Sequence, residues 1–131
     1  MLNNPKVTKA QFGAPVQILA NVEHQMSVGV RVPQSLGTEK GAKKIALAGT
    51  PIHIDFADTM KEVKAPAAAS GSDAAVEANA VLLHDVDVTE GTANGTGLYF
   101  GVVNINRLDA SVQAKVTAGV NTIGAVSFLK L

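Results

Sequence analysis

Apolar and polar residues alternate with a period of two over Glu23 to Val32. His24, Met26, Val28, Val30 and Val32 fall on one side, and Glu23, Gln25, Ser27, Gly29 and Arg31 on the other. That spacing predicts a strand with one buried face, stopped by Pro33, which cannot donate to a ladder. Ile52, Ile54 and Phe56 alternate with His53, Asp55 and Ala57 in a second such strand. Ala80, Leu82, His84, Val86 and Val88 define one face of a third, with Val81, Leu83, Asp85 and Asp87 on the other. The run Thr89 to Gly97 holds Asn94-Gly95, a strong hairpin-turn signal. The return strand then sets Leu98, Phe100 and Val102 against Tyr99, Gly101 and Val103, with Gly101 marking a bulge or a close backbone approach. Glu77 to Arg107 therefore reads as two neighbouring strands and as the spine of the fold. Its distinctive residues are His84, Asp85, Asp87, Asn94, Gly95 and Gly101.

One stretch has a helical period. Leu108, Val112 and Val116 recur at i, i+4 and i+8, behind Asn106 as N-cap and ahead of Gly119. This predicts one short helix near residues 107–118, and Ala125 to Leu131 reads as a closing strand. Pro15 opens a short strand around Val16 to Leu19, and residues 1–13 carry no periodicity. Gln34 to Lys44 reads as a polar loop. Asp58 to Asn79, rich in alanine, reads as an irregular exposed excursion with room for one short helical turn at either end. The prediction is a mainly β domain, a small antiparallel β-barrel or β-sandwich over residues 21–131. It is preceded by an N-terminal arm and first strand over residues 1–20.

The length, 131 residues, suits a single domain. Eleven basic residues balance eleven acidic ones, which argues against a nucleic-acid partner, since phosphate binding calls for a basic excess. There is no cysteine, hence neither a disulfide framework nor thiolate chemistry. Tryptophan is absent and tyrosine occurs once, leaving few ring faces for stacking on sugars or bases. No apolar run approaches the ~20 residues of a membrane-spanning helix. The start has no charged-then-apolar leader pattern, so synthesis in a cytoplasm is expected.

His84, Asp85 and Asp87 invite a metal or acid–base reading. Strand alternation, however, points His84 away from the two aspartates, which favours a core histidine hydrogen-bonded to backbone. The two aspartates share a face and, with help from the following loop, could hold a hard cation. His24, His53 and His84 are scattered, with no nucleophile or paired carboxylate beside them. Thr92 to Gly97 lacks the Gly-Lys-Ser/Thr of a phosphate loop. The expectation is a protein that is not an enzyme and has no cofactor or metal.

Several stretches together resemble the head decoration, head stabilisation and head fibre proteins of tailed bacteriophages. They are Gly13-Ala14-Pro15-Val16-Gln17, Glu23 to Val30, Ala48-Gly49-Thr50-Pro51, Val81 to Val88, Ala93-Asn94-Gly95-Thr96, Gly101-Val102-Val103 and Asn106-Arg107-Leu108. The likeness is one of overall layout and covers most of the chain except residues 61–78; Gly97 departs from it. The resemblance implies a β-tulip-like domain that trimerises, binds the major capsid protein on the outer surface of the virion head and stabilises it. Residues 1–20, with Val7, Phe12, Val16 and Ile18, are then the arm expected to contact the capsid, by strand addition. Two other readings remain at this point: the base of a head fibre, or a β-barrel module binding a host-surface glycan or small ligand.

Overall fold

In the computed structural model, which describes residues 17–117 and 122–130, the chain builds two sheets, one α-helix and two single 3-10 turns. The strands are β1 (Met26–Val32), β2 (Thr38–Lys40), β3 (Lys43–Ala46), β4 (Pro51–Ile52), β5 (Ala80–Leu82), β6 (Val86–Asp87), β7 (Ala93–Asn104), β8 (Thr122–Ile123) and β9 (Ala125–Leu129). The helix α1 spans Ala110–Thr117. The larger sheet runs β4-β5-β7-β9-β8, with β1 also on β7; the smaller runs β2-β3-β6. The described strands do not close into a barrel, and the arrangement is sandwich-like.

β7 is the strand on which the others depend. Leu98 is flanked by Ser27 on one side and Val81 on the other, and Val103 by Leu19 and Phe128. All ladders are antiparallel except β7 with β9, which run parallel. The crossover between those two strands contains α1.

The central stretch is not a simple hairpin. β5 and β7 do pair, but the chain bends at residues 83 and 84 and lends β6 to the second sheet before returning. Asn94-Gly95 is not the turn: both residues lie within β7, opposite Arg31 and Val30. The reversal occurs at residues 89–91, where Gly91 takes φ 133°. Glycine at 95 is instead required by packing. A β-carbon there would fall 2.8 Å from Val86 Cγ2 and 3.0 Å from Val32 Cγ2.

Two apolar clusters lie against the larger sheet. One joins Val81, Leu98, Val103, Val126 and Phe128 to Leu108, Val112 and Val116 of the helical segment. The other joins Val30, Val32, Ile52, Ile54 and Leu82 to Ala46, Val86 and Val88 from in and around the smaller sheet. The apolar stripe Leu108–Val112–Val116 is thus where the spacing puts it, but the helix starts later than expected. Asp109 caps it, its carboxylate accepting from the Ser111 N–H at 3.0 Å. Asn104 and Asn106 belong to the preceding 3-10 turn, where Asn104 Oδ1 accepts from the Asn106 N–H.

Residues 58–79 contain no helix. His53 and Lys64 exchange backbone bonds, then Ala67 with Val76 and Ser70 with Asp73, forming a thin two-stranded tongue turned by Gly71 at φ 56°. Residues 64–75 are exposed throughout. The strand expected through Phe56 stops at Ile52, because residues 53–62 leave the sheet to enter this tongue.

Candidate functional site

Of the expected contact arm, Val7, Phe12 and Val16 lie outside the described residues. Ile18 does not serve a partner's surface. It is 1% exposed, in the first core cluster, and its carbonyl accepts from the Asn104 N–H at 2.8 Å. Arg107 holds the same segment by donating to the carbonyls of Gln17 and Leu19. Residues 18–20 are therefore an integral edge of the domain.

His84, Asp85 and Asp87 are not gathered into a centre. His84 sits half-buried at the bend between the sheets, and its Nδ1 is buried without a hydrogen-bond partner, contrary to the expected backbone bond. Asp85 Oδ1 accepts from the Ala48 N–H at 2.7 Å and so ties the bend to the turn before β4. Asp87 accepts from the Thr89 hydroxyl and N–H and pairs loosely with Lys43 at 3.8 Å. The Thr89 hydroxyl, then its N–H, then Lys43 hold the Asp87 carboxyl below the usual range. Asp109 is lowered chiefly by the Ser111 N–H and hydroxyl, with Lys40 adding to them. Asp55 is lowered by the Ala57 N–H and then by Lys61. All three are loop-ordering carboxylates. Among the described residues, no group of three His, Asp or Glu side chains is placed to hold a metal ion.

Gly101 stands beside an irregularity in β7. Met26 pairs with Phe100 but Ser27 with Leu98, so Tyr99 is an extra residue with no partner in β1. A β-carbon on Gly101 would make only ordinary contacts, 3.4 Å from Leu98 Cδ1 and 3.6 Å from the His24 carbonyl, so it is the irregular strand and not a close approach that marks this glycine.

The bulge also decides which side chains face outward. Before it, Leu98 enters the first cluster; after it, Val103 does, although the two differ in parity. Phe100 and Val102 are thereby turned to the opposite face, alongside Met26 of β1 and Ala125, Ser127 and Leu129 of β9. At its other end this face is covered by the smaller sheet; here it is open. Met26 is 52% exposed, Phe100 46% and Leu129 48%, and no charged residue interrupts the row. Tyr99 and Phe56 meet edge-to-face at 5.4 Å nearby, with Phe56 also exposed. Alternation alone assigned Met26 and Phe100 to buried positions. The clash in parity between Leu98 and Val103 was the sequence signal for the shift.

Among the described residues, concave surface is divided between separate grooves. A groove of 540 Å³ lies between the tongue (Pro66, Ala67, Val76) and Pro51, Lys115 and Ile123. Another of 450 Å³ runs beside Gly29–Arg31 under Thr59 and Met60. Neither gathers the convergent polar groups that fix a small ligand.

Comparisons with protein-family models, curated proteins and solved structures return no match.

Proposed function

We propose that this chain is a non-enzymatic virion structural protein that binds the outer surface of a bacteriophage head, associates as a trimer and stabilises the shell. The observation that carries the reading is the open, uncharged apolar row Met26–Phe100–Leu129 on an otherwise half-covered sheet. Together with the resemblance in layout, it supports attachment to the major capsid protein rather than to nucleic acid, whose phosphates call for cations. An interface of this class buries ~1,200–2,000 Å². Repeated around a shell, such contacts oppose expansion by packaged DNA, and no bond is made or broken. Protein made in the host cytoplasm would join the assembled head from outside.

The test is co-sedimentation of the full chain with expanded heads that lack it. Phe100→Ser with Leu129→Ser should lower occupancy about tenfold, the loss of one or two anchoring side chains, with an unchanged circular dichroism spectrum. Equal occupancy by the double variant overturns the role of this face, and failure of the parent chain to bind overturns the reading. Removal of residues 1–12 should leave the fold intact and weaken attachment; undiminished binding of the shortened chain excludes the arm.

A further inference from the structure

The outer edge of β1 is a second feature left without a partner among the described residues beyond Arg31, and its pattern differs from that of the apolar face. β1 pairs with β7 on one side only. The Arg31 carbonyl points to the other side, where it accepts from the Val63 N–H at 2.9 Å. Parity then turns the N–H and C=O of Ser27 and Gly29 to the same open side, and no described residue meets them. Natural edges are blunted by proline, lysine, bulges or a covering loop. Here the loop hydrogen-bonds β1 only at Arg31, with Thr59 and Met60 standing across a groove beside Gly29; the bulge residue lies in β7 rather than in β1, and residues 25–30 contain neither proline nor lysine.

Gly29 sharpens the point. Its φ is not positive, and a β-carbon there would touch nothing within 4 Å. The chain's own conformation and packing give no reason for glycine in the middle of this strand. Glycine at such a place suits the close approach of another backbone.

We infer that β1 pairs antiparallel with β1 of a second copy of this chain, about a twofold axis through Ser27. The register follows from sterics and charge. Residues 62–63 occupy the edge at Arg31, so no incoming strand can run past Gly29 in extended form. Placing Ser27 opposite its own copy sets Gly29 opposite Gln25 and lets the second chain depart before the obstruction, at the bends over residues 22–24. That register also brings Arg31 towards Glu23 of the second copy. Both side chains are exposed, and neither forms an ion pair among the described residues. Exposed Met26 falls beside Val28 of the second copy on the face shared with Phe100. Shifting the twofold to Val28 or Gly29 would drive residues 25 or 27 of the second copy into residues 62–63. Of the registers that clear residues 62–63, the one centred on Ser27 keeps the most residues paired and sets Arg31 near Glu23.

Few residues take part, so the contact is weak in dilute solution and gains from multivalency where copies are already gathered. A twofold contact between neighbouring trimers adds to a threefold one without replacing it. The pairing does not depend on what surface the protein decorates.

The cysteine-free background gives a direct test. Ser27→Cys places two thiols opposite one another in a hydrogen-bonded pair, ~5.5 Å between α-carbons, within disulfide reach. Ser72→Cys, at the exposed tip of the tongue, reports random collision. At about 100 µM under mild oxidation, Ser27→Cys should form disulfide dimer about tenfold faster than Ser72→Cys. A contact of roughly millimolar Kd pairs about a tenth of the chains at this concentration, and within each pair the thiols are held in reach. Gly29→Pro added to Ser27→Cys should remove the advantage. The N–H lost faces the open edge, so the ladder to β7 is kept, and circular dichroism verifies the fold. Ser27→Lys should likewise lower self-association in sedimentation velocity. Equal rates for the two single-cysteine chains, or an advantage that survives Gly29→Pro, overturns the inference.

Discussion

Gly95 and Gly124 show two different reasons for having no side chain. At Gly95 the obstruction is two valine methyls, and β-branched side chains have little freedom to swing aside. Gly95→Ala should cost ~1–3 kcal/mol through overpacking, read from chemical denaturation. At Gly124 the obstruction is the Asn79 carbonyl oxygen, 2.7 Å from a built β-carbon, and the backbone sits at φ 58°. Gly124→Ala therefore meets strain and a backbone clash together and should be at least as damaging. A residue pattern shows that glycine is present but not which of these reasons applies, and Asn94-Gly95 was accordingly read as a turn. The carboxylates were more legible in outline. Strand alternation was applied to His84 and Asp85, but the chain bends there, and the partners that each aspartate finds in a distant loop or its own turn lay outside that pattern.

The same aspartates set an acid limit. Asp55, Asp87 and Asp109 all have their folded-state pKa depressed. Their contribution is present above the ordinary carboxylate pKa of ~3.9 and is lost as pH falls through the lower folded value. Thermal stability should hold down to about pH 5 and decline below about pH 4, and Asp109→Asn should flatten that decline.

Among elements, α1 and β7 carry the architecture in contrasting ways. The stripe Leu108–Val112–Val116 was plain in the sequence because a helix repeats locally, and only its start was misplaced. Asn106 offered a cap, but Asn104 to Arg107 first close a 3-10 turn, leaving Asp109 at the true N-terminus. Asp109→Ala should cost ~0.5–2 kcal/mol of stability. β7 was harder to read. Its twelve residues exchange partners along their length, and the extra residue at Tyr99 reverses the phase of every side chain beyond it. That reversal depends on what lies across the sheet, which local periodicity does not encode. Leu98, fully buried between β1 and β5, is the residue to test. Leu98→Ala should destabilise by ~2–5 kcal/mol in urea melts.

For the whole molecule, the β class was legible from alternation and from the valine- and isoleucine-rich strands, and the sandwich-like pair of sheets agrees with it. The described strands do not close into a barrel, and the parallel pairing of β7 with β9 had no counterpart in the sequence pattern. The open row through Phe100 and Leu129 and the bare edge of β1 face different directions of approach. The first presents side chains and the second backbone, so variants at each should separate attachment to a shell from association between copies.

The tongue of residues 64–79 has a practical consequence. Its tip turns through Gly71 and Ser72 with only the Ser70–Asp73 pair closing it, and its residues are small and exposed. A chain segment spliced in there lengthens a loop whose closure entropy grows only as the logarithm of its length. A ten-residue epitope grafted between Gly71 and Ser72 should leave the melting temperature within about 3 °C, a shift worth up to ~1 kcal/mol for a domain this size. Such a graft would turn the exposed tongue into a display handle.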